Sequence, residues 1–409
     1  MPDVSTLNVL LYGEIIGTLT HVGGDRTLFA FTDRYINDKQ RPILSLGFKD
    51  AFGDLITDFA PTQTKLIPWF SNLLPEGRLR TYLAERAGAN QQREFFLLWA
   101  LGRDLPGAVT IESADGEAWP PRAPDGHDTP AGNTRANALR FSLAGVQLKF
   151  SALEGARGGL SIPVRGVGGD WIVKLPSREF EGLPENEFSM MTLARKVGID
   201  VPAIQLVDIA AIENLPETGA LRDSQAFVIQ RFDRLQSGPV HMEDFAQIFG
   251  VYPDDKYEKA TMRRLAGVIG AEGQDADVVE FVRRIVFNAL IGNADMHLKN
   301  WSLVYPDKRR AALAPAYDFV STTPYIKDDK AALKVSRSAR FDEFTRDELA
   351  HMAAKARLPE KLVLDAAAET VALFRQHWKA EANNLPLTND VIAAVNHQLK
   401  IVPIATDKQ

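Results

Sequence analysis

The chain has 409 residues, of which 45% are hydrophobic and 24% charged, with a formal net charge of −6 and no cysteine. That length supports two or three domains with sizeable cores. The missing cysteines exclude disulfides, thiolate metal sites and cysteine nucleophiles, and the acidic balance gives no reason to expect tight nucleic-acid binding by the isolated chain, a local basic patch or basic partner aside. The opening MPDVSTLNVLLYGE has no basic segment leading into a long apolar run, so no secretory signal is expected. No stretch approaches the roughly 18 consecutive apolar residues of a membrane span, and a cytoplasmic location without membrane attachment is the expectation. The seven histidines are scattered, with no HExxH pair, and no fixed-period repeat is present.

In chain order, two short apolar runs at 7–11 and 15–19 flank Tyr12-Gly13-Glu14 and predict a β-hairpin, with a further strand at 28–31. Residues 78–86 read as a helix after Leu73-Leu74-Pro75-Glu76-Gly77, a specified turn, and FFLLWAL at 95–101 reads as a buried helix stopping at Gly102. Residues 117–137 (EAWPPRAPDGHDTPAGNTRAN) have no apolar period and read as a linker at a domain boundary.

Next comes Arg140-Phe141-Ser142-Leu143-Ala144-Gly145-Val146-Gln147-Leu148-Lys149-Phe150-Ser151. The small Ser142, Ala144 and Gly145 let backbone approach a ligand, and N–H groups of such a turn can cradle phosphate. The spacing is not that of a Walker A loop, and a plain hairpin turn is the competing reading. Lys174 sits late in the apolar strand 170–175, where it resembles the strand lysine of kinases; an edge-strand lysine facing water is the alternative. Pro184-Glu185-Asn186-Glu187 opens an amphipathic helix. Its acids suit the helix dipole, or one of them orients Lys174. Strands are expected at 201–210 and 226–230. The second runs into Arg231-Phe232-Asp233-Arg234, which makes Gln230, Arg231 and Phe232 candidates for a crossing past an adenine; a strand end with solvated charges is the alternative.

From Glu243 the chain reads as helical, with residues 276–290 at helical spacing. The helix runs into Gly292-Asn293-Ala294-Asp295-Met296-His297-Leu298-Lys299-Asn300, a hairpin from 301 to 314 and Tyr317-Asp318-Phe319. Asp295, Asn300 and Asp318 are the set that phosphoryl transfer to a hydroxyl needs: one carboxylate for the acceptor, and an amide oxygen with a second carboxylate for Mg2+. Asp and Asn also serve turns by bonding local backbone. Helices follow at 345–356, 360–379 and 389–400, the first with a T-x-x-E capping box from Thr345 to Glu348.

Together these motifs resemble a HipA-family serine/threonine kinase, the toxin of a bacterial type II toxin–antitoxin pair. The motifs are Asn72 to Gly77, Ser142 to Lys149, Arg231 to Arg234, Asn293 to Asn300 and Tyr317-Asp318. The resemblance implies an α+β fold with two kinase-like lobes, β-rich and helical, and a small N-terminal α/β subdomain. The corresponding divisions are 1–116, 138–235 and 236–409. It implies Asp295 as the catalytic aspartate, Asn300 and Asp318 as Mg2+ ligands, and ATP as the phosphoryl donor. Ser142, Ala144, Gly145, Val146, Gln147, Lys149, Lys174, Gln230, Arg231, Phe232, His297, Lys299 and Tyr317 fall at nucleotide-binding positions. Ser142 further matches a serine that the family autophosphorylates to switch itself off, consistent with a phosphate's repulsion of ATP and Asp295. Leu148 and Phe150 replace more polar residues, and Val320 after Phe319 departs from a DFG turn. The implied partners are a HipB-like helix-turn-helix antitoxin, operator DNA through that antitoxin, and a protein substrate such as an aminoacyl-tRNA synthetase. A small-molecule phosphotransferase and a non-catalytic corepressor are the alternatives.

Overall fold

The structure, a computed structural model, describes residues 5–116, 149–154, 160–162, 168–177, 179–215, 223–326 and 329–406. The linker 117–137 and the phosphate-loop candidates Ser142, Ala144, Gly145, Val146 and Gln147 lie outside the described residues. The protein has the α+β architecture expected, with antiparallel sheets in the first half of the chain and mainly helices in the second.

The N-terminal unit is a five-stranded antiparallel sheet in the spatial order Thr62–Gln63, Arg26–Phe31, Glu14–Val22, Ser5–Leu11, Val109–Ser113. Tyr12 and Gly13, both at positive φ (55° and 81°), make the tight turn of its first hairpin. Alternation sets the inner face: Thr27, Phe29 and Phe31 are buried while Arg26, Leu28 and Ala30 are exposed. The helix Glu94–Leu101 is buried along its whole length, which explains its lack of a polar face.

The second sheet runs Leu160–Ser161, Lys149–Glu154, Trp171–Lys174, Gln225–Gln230, Ile204–Asp208. In strand Gln225–Gln230 every central residue is buried, but on two different cores. Ala226 and Val228 pack with the N-terminal unit, and Phe227 and Ile229 pack with the helices. The strand is therefore a continuous apolar run without alternation. Phe150 is likewise buried in the N-terminal core, a packing reason for an apolar residue there. The expected unit 138–235 thus shares both its cores with its neighbours.

Two expectations fail locally. The helix expected from Glu243 begins only at Phe245, because Glu243 and Asp244 end the strand His241–Asp244, which pairs with Ser302–Tyr305 some sixty residues on, a partner that local sequence does not signal. The T-x-x-E capping box is only half formed. Thr345 Oγ1 accepts from the Glu348 N–H, but the Glu348 carboxylate turns to the backbone N–H groups of Ser336, Arg337 and Ser338 and to the Arg337 guanidinium.

Helix Asp275–Ile291 is the spine of the large lobe and ends at Gly292 in the left-handed region (φ 66°). A Cβ there would lie 2.7 Å from Thr323 Oγ1 and 2.9 Å from Gln398 Nε2, so glycine is needed both for conformation and for space. The helix therefore stops abruptly and the chain enters the next loop against the body of the lobe.

Candidate active site

Directly after Gly292, Asn293 organises the loop. Its Oδ1 accepts from the Asp295 N–H (3.0 Å), and its Nδ2 donates to Asn288 Oδ1 (2.8 Å) and to the Asp318 carbonyl (3.3 Å). The Asp295 carbonyl accepts from the His297 N–H (2.8 Å) and from Asn300 Nδ2 (2.9 Å). The amide of Asn300 is thereby oriented by its NH2 group, and its Oδ1 remains the available ligand atom. Asp295 faces solvent across the cavity. The protein around it raises its carboxyl pKa, opposed by a 2.7 Å hydrogen bond from the Tyr257 hydroxyl to Oδ1.

Asp318 arrives from the hairpin strands Ser302–Tyr305 and Ala312–Leu313, in the left-handed region (φ 59°). A non-glycine residue there stores about 1–3 kcal/mol of strain. The Asn293 bond to its carbonyl and its own ion pairs hold it. Lys174 reaches both the Asp318 carboxylate and Glu187 Oε1, the latter at 2.5 Å. Glu187, and not Glu185, is the acid that orients Lys174. Lys149, opposite Lys174 in the strand register, stands 3.6 Å from Asp318. Burial opposes the Asp318 charge, but Lys149 and Lys174 override it and hold the carboxyl well below the usual range. Burial likewise opposes the Lys174 charge, and the two carboxylates keep the ammonium protonated. The quartet is charge-balanced, as a buried ionic group must be.

The N-terminal unit closes the other side. Glu76, from the turn that the sequence marked without assigning it chemistry, pairs with Lys299 (2.8 Å) and Lys256 (2.6 Å). Against the cost of its burial, these two cations hold the Glu76 carboxyl at about 2. Lys299 Nζ also donates to the Asn72 carbonyl (3.0 Å). The Lys299 side chain thus anchors the loop to the N-terminal unit, and it also lines the same cavity as Asp295. Glu76, Lys256 and Tyr257 were missed as site residues. The Leu73 to Gly77 turn was the only signal for the first, and the polar run around Tyr257 carried none.

Arg231 lines the cavity between Gln230 and Phe232, and its polar groups are engaged by neighbouring protein. Its N–H donates to the Asp170 carbonyl (2.7 Å), and its buried guanidinium bonds Asp104 and Asp233. Asp233 in turn accepts from Arg234 and from the Gly107 N–H. The Arg231 to Arg234 motif clamps the N-terminal unit onto the second sheet rather than presenting charge to a ligand. Phe232, between these residues, stacks on Tyr317 (5.8 Å between centroids, 29°). The Tyr317 hydroxyl lies 2.5 Å from Ser302 Oγ and donates to the Lys299 carbonyl.

Asp295, Asn300, Asp318, Lys174, Glu76 and Tyr257 line one cavity of about 780 Å3, together with Gln230, Phe232 and Tyr317. Its size suits a nucleotide-sized ligand. Burial depresses the His297 imidazole to about 3, so it stays neutral, and its Nδ1 is buried without a partner at the cavity wall. Among the described residues no group of three or more His, Asp or Glu could bind a metal unaided. One carboxylate and one amide oxygen, Asp318 and Asn300, fit Mg2+, which takes few protein ligands and completes its shell with phosphate and water.

Comparison with known proteins gives two family matches: residues 7–112 to the HipA N-terminal domain and residues 141–378 to the HipA-like C-terminal domain. A protein of Sinorhizobium fredii named "Putative kinase Y4dM" is 56% identical over 97% of each chain. The serine/threonine-protein kinase toxin HipA of Shewanella oneidensis is 24% identical over 82% of this chain and 79% of its own. The HipA of a solved Shewanella oneidensis HipA, HipB and operator DNA complex superposes with a TM-score of 0.71 at 21% identity, covering 98% of this chain and 96% of that one, and shares the fold.

Proposed function

The chain belongs to the HipA family, and from that premise we propose that it is an ATP- and Mg2+-dependent protein serine/threonine kinase, the toxin of a HipBA-like toxin–antitoxin pair. The observation that carries this reading is the convergence of Asp295, Asn300, Asp318 and Lys174 on one cavity, with Lys174 held by Glu187. Asp295 positions an acceptor hydroxyl and takes its proton. Lys174 neutralises donor phosphates, and Asn300 and Asp318 hold Mg2+, which offsets the charge on the phosphates when bound. Phe232 and Tyr317 offer an aromatic wall to the base, and the exposed Gln230 lies beside them. Lys149 is the second cation at the phosphate end. The Asn72 to Gly77 turn supports the catalytic loop from the N-terminal unit.

The remaining family features follow as parts of the same proposal. Ser142 is the autophosphorylation site of a loop in which Ala144, Gly145, Val146 and Gln147 contact nucleotide. A HipB-like helix-turn-helix antitoxin is the partner and brings the complex to operator DNA. The protein substrate is a translation-related protein such as an aminoacyl-tRNA synthetase, and the site of action is the cytoplasm. No described helix is long and apolar enough to cross a membrane. Phosphoproteomics after expression of wild type and Asp295→Asn tests the activity and names the substrate. ATP-dependent phosphopeptides that vanish in the variant and on Mg2+ chelation are expected. Identical phosphopeptide profiles would overturn the proposal.

A further inference from the structure

Asp295 has a hydroxyl of its own chain already bound to it. Tyr257 follows the 3-10 turn Pro253–Asp255, outside any helix or strand, and its Oη donates to Asp295 Oδ1 at 2.7 Å. The residue is 43% exposed and lines the same cavity as Asp318 and Lys174. Its ring stands edge-on to His297 (5.0 Å, 85°). The neighbouring Lys256 is fixed twice: its ammonium pairs with Glu76, and its carbonyl accepts from the Leu298 N–H. The phenol is therefore delivered to the base by an anchored segment and is not a chance surface contact.

A phosphoacceptor must place its hydroxyl within hydrogen-bond reach of the base, proton toward the carboxylate. Tyr257 holds that position before any substrate arrives, and a group held in place reacts as if at very high concentration. We propose that Tyr257 is an internal phosphoacceptor of this site, a modification that rests on the reading of the chain as an ATP-dependent kinase. In the step, the bond between the γ-phosphorus and the β,γ-bridging oxygen breaks and a bond from Tyr257 Oη to that phosphorus forms. The phenolic proton passes to Asp295 and from there to water, and ADP leaves. The product carries nearly two negative charges beside Asp295. It fills the acceptor position and repels the base, so the modified kinase no longer accepts a protein hydroxyl. This brake acts at the acceptor end of the cavity.

The test is phosphopeptide mapping of the purified full chain incubated with Mg2+-ATP, as wild type, Tyr257→Phe and Asp295→Asn, with myelin basic protein as acceptor probe. Phosphate on Tyr257 is expected in wild type, at a first-order rate independent of protein concentration. In Asp295→Asn it falls at least about 100-fold, the loss typical of removing a general base. Transfer to the probe slows as Tyr257 fills in wild type and stays linear in Tyr257→Phe. Phosphate on the probe or on Ser142 with none on Tyr257 overturns this inference and leaves the kinase reading standing. Faster probe labelling by Tyr257→Phe in that case marks the tyrosine as a mere cap. No transfer to any acceptor overturns both.

Discussion

Glu76 and Lys299 stand 2.8 Å apart, and through this pair the N-terminal unit holds the residue next to Asn300, the candidate metal ligand. The same carboxylate pairs with Lys256, beside Tyr257. One acid from the N-terminal unit therefore ties down both the loop that carries Asn300 and the separate segment that carries Tyr257. It makes the N-terminal unit part of the catalytic scaffold.

Glu76→Gln removes the charge that two partly buried lysines share. Stability is expected to fall by about 2 kcal/mol, less than for a fully buried pair because the Glu76 side chain is 18% exposed. Turnover falls more than affinity for ATP, since the loop rather than the nucleotide wall is loosened. Urea denaturation and steady-state kinetics check the two parts. The Glu76 carboxyl is held at about 2 against an ordinary 4.5, so the unfolded chain protonates first. Its contribution is complete above about pH 4.5 and is lost as pH falls through 2.

Asp295→Asn and Asp318→Asn should separate chemistry from stability. Asp295 has a neutral side-chain partner, Tyr257, so its variant keeps its melting temperature and loses phosphoryl transfer by at least about 100-fold. Asp318 balances Lys149 and Lys174. Its variant loses transfer and also about 1–3 kcal/mol of stability, since two adjacent lysines are left with Glu187 alone. Calorimetry on the nucleotide-free proteins distinguishes them.

Asp233→Ala should detach the N-terminal unit. The carboxylate bonds Arg231, Arg234 and the Gly107 N–H at 2.7–3.0 Å in a buried cluster. Its removal leaves two guanidinium groups to share the single carboxylate of Asp104, at about 3 kcal/mol. Hydrogen exchange should rise first around Leu105 and Gly107, whose backbone carbonyls accept from Arg234.

Glu243 makes stability fall with rising pH. It is fully buried and accepts from Ser45, the Leu46 N–H, Trp69 and Tyr305, yet burial lifts its carboxyl to about 7. Because the folded form protonates more readily than the unfolded, its stabilising contribution is fully present below about pH 4.5 and is lost as pH rises through 7. The change is about 3 kcal/mol. His241, depressed to about 4 by burial, gives the opposite slope over part of the same range. The measurement is therefore the difference between wild type and Glu243→Gln in urea titrations from pH 4.5 to 8, which should shrink as pH rises.

The sequence by itself determined the local elements and the order of the chemistry. The Gly292 stop, the Asp295 to Asn300 spacing and the hairpin to Asp318 are short-range patterns, set by helix period, turn residues and loop length, and the structure reproduces those elements. Local pattern failed where a partner lay far along the chain. His241–Asp244 became a strand through pairing with Ser302–Tyr305, and Glu348 left its capping role for residues 336–338. Side-chain partners were the least legible feature. Nothing in the sequence marked the ion-pair partners of Lys299 and Arg231. Which group a long cation reaches depends on what folding brings within a few ångströms, and here that was Glu76 for one and Asp104 with Asp233 for the other. The choice of Glu187 over Glu185 as the Lys174 partner was decided in the same way, by which of two acids on one helix turn faces the strand.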